Sequence, residues 1–209
     1  MPAALLAVRS QCGADYTLLR DLLAAGEWQK ADDETRLKMC ELAGEEAFTR
    51  EWVYFTEVKD IPAADLSTMD ALWKAYSGGR YGFSVQRSLY LAEKRKWGNF
   101  FKRIGWTQGD NGAYRKFPTE FLWQADAPKG HLPLTNCLRG TQLLAAVLEH
   151  PAFGGPLEVR GVRARSSGAG GSTLGAGGPP PFEDLEPPAR AALVAATLLL
   201  VLIGLANQG

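Results

Sequence analysis

The chain has 209 residues, of which 46% are hydrophobic and 10% aromatic, and its 23 basic and 23 acidic side chains give a formal net charge of zero. This length predicts one ordinary domain with or without appendages. The neutral balance argues against nucleic-acid binding, which normally leaves a strongly basic footprint. Three widely spaced cysteines, Cys12, Cys40 and Cys137, favour a reducing compartment over a secreted disulfide scaffold.

The aromatic residues indicate where the globular domain lies. Of the 21 Phe, Trp and Tyr residues, 20 fall within the stretch from Tyr16 to Phe153. A packed core needs such side chains, because each of them buries a large apolar area. We therefore predict an N-terminal extension over residues 1–15 and a globular domain over residues 16–153.

Most of this domain has the residue spacing of amphipathic helices. Apolar side chains recur at intervals of three and four, and glycine or proline follows several of the segments. In chain order the predicted helices span residues 16–25, 28–43, 65–76 and 85–95, then a segment through Trp97, Phe100, Phe101 and Ile104, and finally about Thr135 to His150. Asp65 or Ser67 is expected to cap the third helix. No segment alternates like a half-buried strand, so the predicted fold class is all-α.

Two stretches interrupt the helical pattern. Residues 48–62 (FTREWVYFTEVKDIP) contain four aromatic residues, and residues 116–133 (KFPTEFLWQADAPKGHLP) are broken by proline and glycine. Loops usually avoid exposing large apolar side chains. Two aromatic loops on a helical body therefore indicate a concave apolar site that the loops close. The alternative is that these side chains plug the core from below.

Signatures of catalysis are sparse. The chain has two histidines, His131 and His150, and it lacks Cys-x-x-Cys, His-Glu-x-x-His, phosphate-loop and Gly-x-Ser-x-Gly motifs. Asp126 and His131 are the one candidate for an acid–base pair within a loop. The sequence therefore offers no support for an enzyme, and no metal site is expected.

A polar pair occurs near the start of the last predicted helix. Asn136 and Arg139 lie about one turn apart on the same helical face. Free N–H groups, the helix dipole and a guanidinium group together favour a carboxylate at that position. With the apolar loop before it, the pair suits a flat apolar ligand that carries acidic arms. In the alternative interpretation, Asn136 is only a cap and Arg139 is a solvated side chain.

The C-terminal part of the chain differs in composition. Residues 154–181 contain nine Gly and four Pro, which predicts a flexible linker over residues 154–188. Residues 189–209 are predicted to form a hydrophobic helix, whose 16 central residues, 191–206 (AALVAATLLLVLIGLA), carry no charge. At full helical length this segment spans about 24 Å, against about 30 Å for a bilayer core. A short tail anchor is favoured, and the alternative is a helix that docks in a groove of this protein or of a partner.

Four segments resemble a known family. They are residues 16–31 (YTLLRDLLAAGEWQKA), 66–86 (LSTMDALWKAYSGGRYGFSVQ), 104–106 (IGW) and 127–153 (APKGHLPLTNCLRGTQLLAAVLEHPAF). The runs Tyr-Ser-x-Gly-Arg-x-Gly-Phe-Ser-Val-Gln and Gly-His-Leu-Pro-Leu-Thr-Asn-x-Leu-Arg-Gly-Thr are long and specific. In them the chain resembles the genomes-uncoupled-four family, porphyrin-binding activators of magnesium chelatase in chlorophyll synthesis.

The resemblance implies a helical cupped-hand fold whose two long loops hold a tetrapyrrole. It implies a non-catalytic protein that binds protoporphyrin IX or magnesium-protoporphyrin IX, activates magnesium chelatase through its large subunit, and takes part in plastid signalling. The implied location is the chloroplast stroma. The hydrophobic C-terminal segment, which is not a usual feature of the family, adds the expectation of association with the thylakoid or envelope membrane. A helical adaptor and a tetrapyrrole-modifying enzyme are the alternatives. The implied porphyrin-binding residues are Val53, Phe55, Ile61, Phe121, Trp123, Leu132, Asn136 and Arg139.

Overall fold

A computed structural model describes residues 10–109, 111–135 and 141–155 of the chain. Over these residues the protein forms seven α-helices, two 3-10 turns and one antiparallel pair of short strands. The helices are α1 (Thr17–Ala24), α2 (Trp28–Ala43), α3 (Glu45–Arg50), α4 (Ala63–Tyr76), α5 (Phe83–Ala92), α6 (Trp97–Arg103) and α7 (Gln142–Leu148). The strands are β1 (Thr107–Gln108) and β2 (Ala113–Tyr114), and the 3-10 turns are Val58–Asp60 and Pro151–Phe153. The predicted linker from residue 156 onward and the predicted C-terminal helix lie outside the described residues.

The all-α prediction is confirmed, and three helices have nearly the expected boundaries. α1, α2 and α4 begin and end within two residues of the positions that the apolar spacing predicts. Gly26 and Gly44, which follow α1 and α2, have φ values of 72° and 114°. Glycine adopts such left-handed conformations without the steric cost that other residues meet, so it ends a helix readily.

Two helices differ from the prediction at their ends. α5 ends at Ala92, before the predicted Arg95, because Lys94 and Arg95 have φ values of 54° and 61° that cannot continue a right-handed helix. The last helix was predicted to begin at Thr135, but Thr135 is not helical, and the described helix begins at Gln142.

Two short elements were missing from the sequence prediction. α3 takes the first three residues of the predicted loop 48–62, so the prediction that the loop begins at residue 48 is wrong. Its six residues are too few for a helical period to show in the sequence. β1 and β2 pair Thr107 with Tyr114 and Gln108 with Ala113, and two residues per strand give no detectable alternation.

A cluster of buried aromatic side chains packs α2 against α4. Trp28 on α2 lies 6.2 Å from Trp73 on α4, and both rings pack against Tyr81 at 5.5 and 6.3 Å between ring centroids. The Trp73 indole N–H donates to the Thr35 hydroxyl at 2.9 Å, which satisfies the one polar atom of a fully buried ring.

A second row of aromatic rings runs from α5 to the loop after β2. Tyr90 stacks on Trp97 at 4.2 Å, and Phe101 stacks on Trp106 at 5.4 Å. Trp106 in turn meets the edge of Phe121 at 6.3 Å. This row forms the packed surface on which the second predicted loop lies.

Asp65 binds the N-terminal segment, so its predicted role as a helix cap is wrong. No side chain caps the start of α4. The fully buried Asp65 carboxylate instead accepts hydrogen bonds from the Tyr16 hydroxyl at 2.8 Å and from the Gln11 backbone N–H at 3.0 Å. Burial alone would raise the pKa of Asp65, but hydrogen bonding from Ser10, Gln11, Tyr16 and Cys12 outweighs it and holds the pKa below its ordinary value.

We expect the substitution Asp65→Ala to lower the free energy of unfolding by about 2–4 kcal/mol. It leaves the buried Tyr16 hydroxyl and the Gln11 amide without their acceptor. The matched variant Tyr16→Phe removes one hydroxyl and leaves Asp65 its remaining donors, so its cost should be nearer 1 kcal/mol. Urea denaturation of both variants measures the difference, and equal losses would contradict this role for Asp65.

Candidate functional site

The second loop, residues 115–135, has no regular secondary structure, and side chains of the helical body hold its backbone. The Arg80 guanidinium donates to the carbonyl oxygens of Asp126 and Ala127 at 3.2 and 2.7 Å. The Gln86 amide on α5 donates to those of Gly130 and Pro133 at 3.0 and 2.8 Å. Buried carbonyl groups need such partners, so these contacts fix the path of the loop.

Arg80 and Gln86 were not among the predicted site residues. The signal that could have found them is their place in the specific run over residues 76–86, which carries part of the family resemblance. In the same run the Tyr81 hydroxyl donates to the Gln124 carbonyl. Side chains of the run therefore hold the second loop, although the carbonyl groups that they contact lie more than 40 residues later in the chain.

His131 fixes the middle of the second loop. Its Nδ1 lies 2.7 Å from the Ile104 carbonyl oxygen, and its Nε2 accepts the Leu122 N–H at 3.0 Å. The ring is fully buried, and burial lowers the pKa of His131 below its ordinary value. Both ring nitrogens thus bind backbone groups, and the acid–base pair with Asp126 is not formed.

Three aromatic rings of the second loop form one group. Trp123 lies 6.3 Å from both Phe117 and Phe121, and its indole N–H donates to the Pro118 carbonyl at 2.9 Å. Phe121 is buried, whereas Trp123 and Phe117 keep part of their surface accessible. The predicted residues Phe121 and Trp123 are therefore brought together, and Trp123 is the more accessible of the two.

The predicted residues of the first loop have different surroundings. Ile61 is 1% exposed and Val53 is 8% exposed, so both belong to the core. Leu132, from the second loop, is likewise fully buried. Phe55 is 46% exposed, and so, to nearly the same extent, are Tyr54 and Phe48. The sequence left two alternatives, loop side chains that close an apolar site and loop side chains that fill the core. Each alternative holds for some of these residues, because Val53, Ile61 and Leu132 pack in the core and Phe55 faces outward.

Helix α2 connects the two loops. It packs against α3 and against the 3-10 turn Val58–Asp60 of the first loop. On the second-loop side, the Arg36 guanidinium lies 5.1 Å from the centre of the Phe117 ring, a cation–π geometry. Arg36 also pairs with Asp32 and Asp33 on its own helix. The same helix therefore contacts an aromatic loop at either side.

A buried carboxylate on α2 holds the chain where the second loop ends. Asp32 accepts the Leu134 N–H at 2.6 Å and the Arg36 Nε–H at 3.3 Å. Burial raises the pKa of Asp32 to about 7 in spite of these donors. The contact holds the backbone at Leu134 against α2.

The predicted polar pair Asn136 and Arg139 lies outside the described residues. The described chain resumes at Thr141, just before α7, whose Leu143, Leu144, Val147 and Leu148 are buried as the apolar spacing predicts. The carboxylate-binding role of the pair stays a prediction.

No group of three or more His, Cys, Asp and Glu side chains that could hold a metal occurs among the described residues. Within the same residues, no helix is both long and apolar enough to cross a membrane. Residues 191–206 lie outside that range, so their role as a tail anchor stays a prediction.

The fold and the site define a class of helical protein in which two aromatic loops lie on one helical body. The chain belongs to the GUN4-like family, whose model matches residues 9–151. It is 52% identical to the structure of GUN4 from Chlamydomonas reinhardtii, with a TM-score of 0.67 over 72% of this chain and 97% of that chain. The resemblance to the genomes-uncoupled-four family is confirmed.

Two curated relatives support the same assignment. A Ycf53-like protein from Synechocystis is 42% identical over 152 residues, which are 73% of this chain and 64% of that protein. A chloroplastic tetrapyrrole-binding protein from Arabidopsis thaliana is 44% identical over 145 residues, 66% of this chain and 55% of that protein. The chain thus spans less than two thirds of the length of these relatives.

Proposed function

We propose that this protein binds protoporphyrin IX and magnesium-protoporphyrin IX between its two aromatic loops. The observation that carries the proposal is the outward exposure of Phe55 and its neighbours on one loop, together with the partly accessible Trp123 on the other. Aromatic rings suit a flat macrocycle, since they bury large apolar areas and stack. The 44% identity to an Arabidopsis protein named for tetrapyrrole binding supports the same ligand class.

The proposed binding energy comes mainly from burial of the macrocycle. Burial of about 400 Å² of apolar surface yields on the order of 10 kcal/mol before the entropy of association is subtracted. Arg139, with Asn136, would orient the ligand through a propionate group. Four of the predicted site residues belong to the core: Val53, Ile61, Phe121 and Leu132. In this proposal they support the loops by packing beneath them and do not contact the ligand.

The proposed role is that of a non-catalytic activator of magnesium chelatase in the chloroplast stroma. The protein would deliver porphyrin to the large subunit of the chelatase or withdraw product from it, and so shift the populated state of that enzyme. The same ligand binding would serve plastid signalling. The name of the Arabidopsis relative, a chloroplastic protein, supports the location.

Titration of each porphyrin into the full chain, followed by tryptophan fluorescence, tests this function. Saturable quenching is expected, and Phe55→Ala should weaken binding. Leu18→Ala is the matched control, because Leu18 on α1 is 55% exposed and belongs to neither loop. Arg139→Ala should weaken binding by about 1.5–3 kcal/mol, as for a hydrogen bond to a charged group.

The outcomes separate the proposed functions. Absence of binding at micromolar porphyrin would overturn the tetrapyrrole function and favour a helical adaptor whose exposed aromatic residues contact proteins. Conversion of the porphyrin without added chelatase would favour a modifying enzyme. Equal affinity of Arg139→Ala and the wild type would remove Arg139 from the site without affecting the rest of the proposal.

A further inference from the structure

An ion pair closes the first loop on itself. Arg50, the last residue of α3, has its Nη2 at 2.7 Å from both carboxylate oxygens of Glu57. The same nitrogen lies 3.3 Å from the Trp52 carbonyl oxygen. Both charged side chains are more than three quarters buried, so solvent screens their attraction less than that of a surface pair.

Tyr54 is fixed by both members of this pair. The Glu57 carboxylate accepts the Tyr54 backbone N–H at 2.7 Å. The Arg50 guanidinium covers the Tyr54 ring at 4.2 Å from its centre, and the ring of Trp52 meets it edge-on at 5.7 Å. The ring is nevertheless 47% exposed. One side of Tyr54 is therefore occupied by protein, and the rest of the ring faces outward.

The backbone of this loop also contains a residue in an unfavourable conformation. Glu51, directly after α3, has a φ of 60° and lies in the left-handed region, although it is not glycine. Such a residue persists only where its surroundings hold it in place. The Arg50–Glu57 pair spans this position, since one partner precedes Glu51 and the other follows it.

We infer that Arg50 and Glu57 are positioning residues of the tetrapyrrole site: they hold Tyr54 and Phe55 outward as an aromatic wall that is already built in the protein without ligand. Tyr54, which was absent from the predicted site, is then a ligand-contacting residue. Val53, only 8% exposed, anchors the wall from the core side. This inference rests on the proposed function, because the wall acts on a bound porphyrin.

An aromatic wall that is ordered before the ligand binds raises the affinity, because binding then carries no entropy cost of ordering the loop. A loop that became ordered only when the ligand arrived would lose conformational freedom at that moment, and the net binding free energy would be smaller. With the Arg50–Glu57 pair formed, the loop is already ordered when the protein folds, and ligand binding no longer has to order it. Loss of the pair should therefore weaken porphyrin binding even though neither residue needs to touch the ligand.

The experiment compares Arg50→Met and Glu57→Ala, alone and combined, in the full chain. Two quantities are measured: exchange of the Tyr54 amide hydrogen by NMR without ligand, and affinity for protoporphyrin IX by fluorescence. Each single variant should accelerate Tyr54 exchange at least about tenfold and weaken binding about five- to tenfold. The losses in the double variant should be smaller than the sum of the two single losses, because either change alone already removes the Arg50–Glu57 contact.

Two further variants distinguish positioning from general damage. Glu57→Gln keeps an acceptor for the Tyr54 N–H and for Arg50, so it should restore slow exchange and most of the affinity. Arg20→Met removes an exposed pair with Asp21 on α1 and should change neither quantity. The urea midpoints of all variants should stay close to that of the wild type, since the pair holds one loop and not the core.

Fast Tyr54 exchange with unchanged porphyrin affinity would overturn the inference, and so would unchanged exchange in Arg50→Met. Additive losses in the double variant would also overturn it. If the wild type binds no porphyrin, the proposed function fails, and the affinity part of this inference fails with it. The exchange data would then still show whether the pair orders the loop, so the two failures remain distinguishable.

Discussion

Replacement of Gly130 by alanine is expected to lower the free energy of unfolding by about 2–5 kcal/mol. Gly130 has a φ of 82°, and a Cβ built there would lie 2.7 Å from Leu89 Cδ1 and 3.1 Å from Ile104 Cγ2. The left-handed conformation costs alanine about 1–2 kcal/mol, and the crowding of a packed interior adds about 1–3 kcal/mol. The second loop would have to move away from α5 to relieve the contact.

Gly79 supplies a matched control for this substitution. Its φ is 80°, but nothing lies within 4 Å of a Cβ built on it. Gly79→Ala should therefore show the conformational cost alone, about 1–2 kcal/mol. Chemical denaturation of the two variants in the full chain gives the contribution of crowding as their difference. Equal losses would mean that the second loop is not closely packed at Gly130.

Replacement of His131 by alanine should have a similarly large effect, about 2–4 kcal/mol at pH 7.5. The change removes two hydrogen bonds to the backbone, leaves the Ile104 carbonyl and the Leu122 N–H without partners, and opens a cavity. Urea denaturation measures the loss. A loss below about 0.5 kcal/mol, typical of a surface position, would show that the ring does not hold the loop.

The loss caused by His131→Ala should also depend on pH. Burial holds the pKa of His131 below 6.5, its value in the unfolded chain. Below pH 6.5 the unfolded chain therefore binds a proton that the folded protein does not, so the contribution of His131 to stability is present above pH 6.5 and falls as the pH falls. Between pH 7.5 and 5.5 the difference between the unfolding free energies of wild type and variant should therefore narrow.

The contribution of His131 is isolated by the difference in unfolding free energy between wild type and variant at each pH. The pH dependence of wild-type stability alone does not isolate it. The pKa of His150 is also lowered, and burial raises that of Asp32 to about 7. A raised pKa acts in the opposite direction, because the folded protein then binds the extra proton and gains stability as the pH falls toward the unfolded value. Both groups are present in wild type and variant, so their contributions cancel in the difference. A difference that stays constant from pH 7.5 to 5.5 would contradict the buried neutral ring.

The periodic part of this fold could be predicted from the sequence. Helices such as α2 and α4 are 16 and 14 residues long, long enough for an apolar face to repeat several times. The second loop was equally predictable, because its prolines and glycines exclude a helix. α3, with six residues, was hidden because so short a segment presents fewer than two turns.

The polar contacts that build the candidate site could not be predicted in the same way. The Leu134 N–H and Asp32 are 102 residues apart in the chain, and Tyr16 and Asp65 are 49 apart. The residues next to Asp32 or Asp65 in the sequence do not indicate these partners. They do not show whether the carboxylate is buried or exposed to solvent. Phe55 and Val53 illustrate the same limit: two residues apart in one loop, one is 46% exposed and the other 8%.

The backbone contacts of the second loop affect its susceptibility to proteolysis. Cleavage requires a segment of the chain to detach and extend into the enzyme, and exposed irregular loops are the usual targets. Here the side chains of Arg80, Tyr81 and Gln86 and the indole of Trp106 bind carbonyl oxygens of residues 124–133. Detachment would break all of these contacts together, so limited digestion should leave this irregular segment as intact as the helices around it.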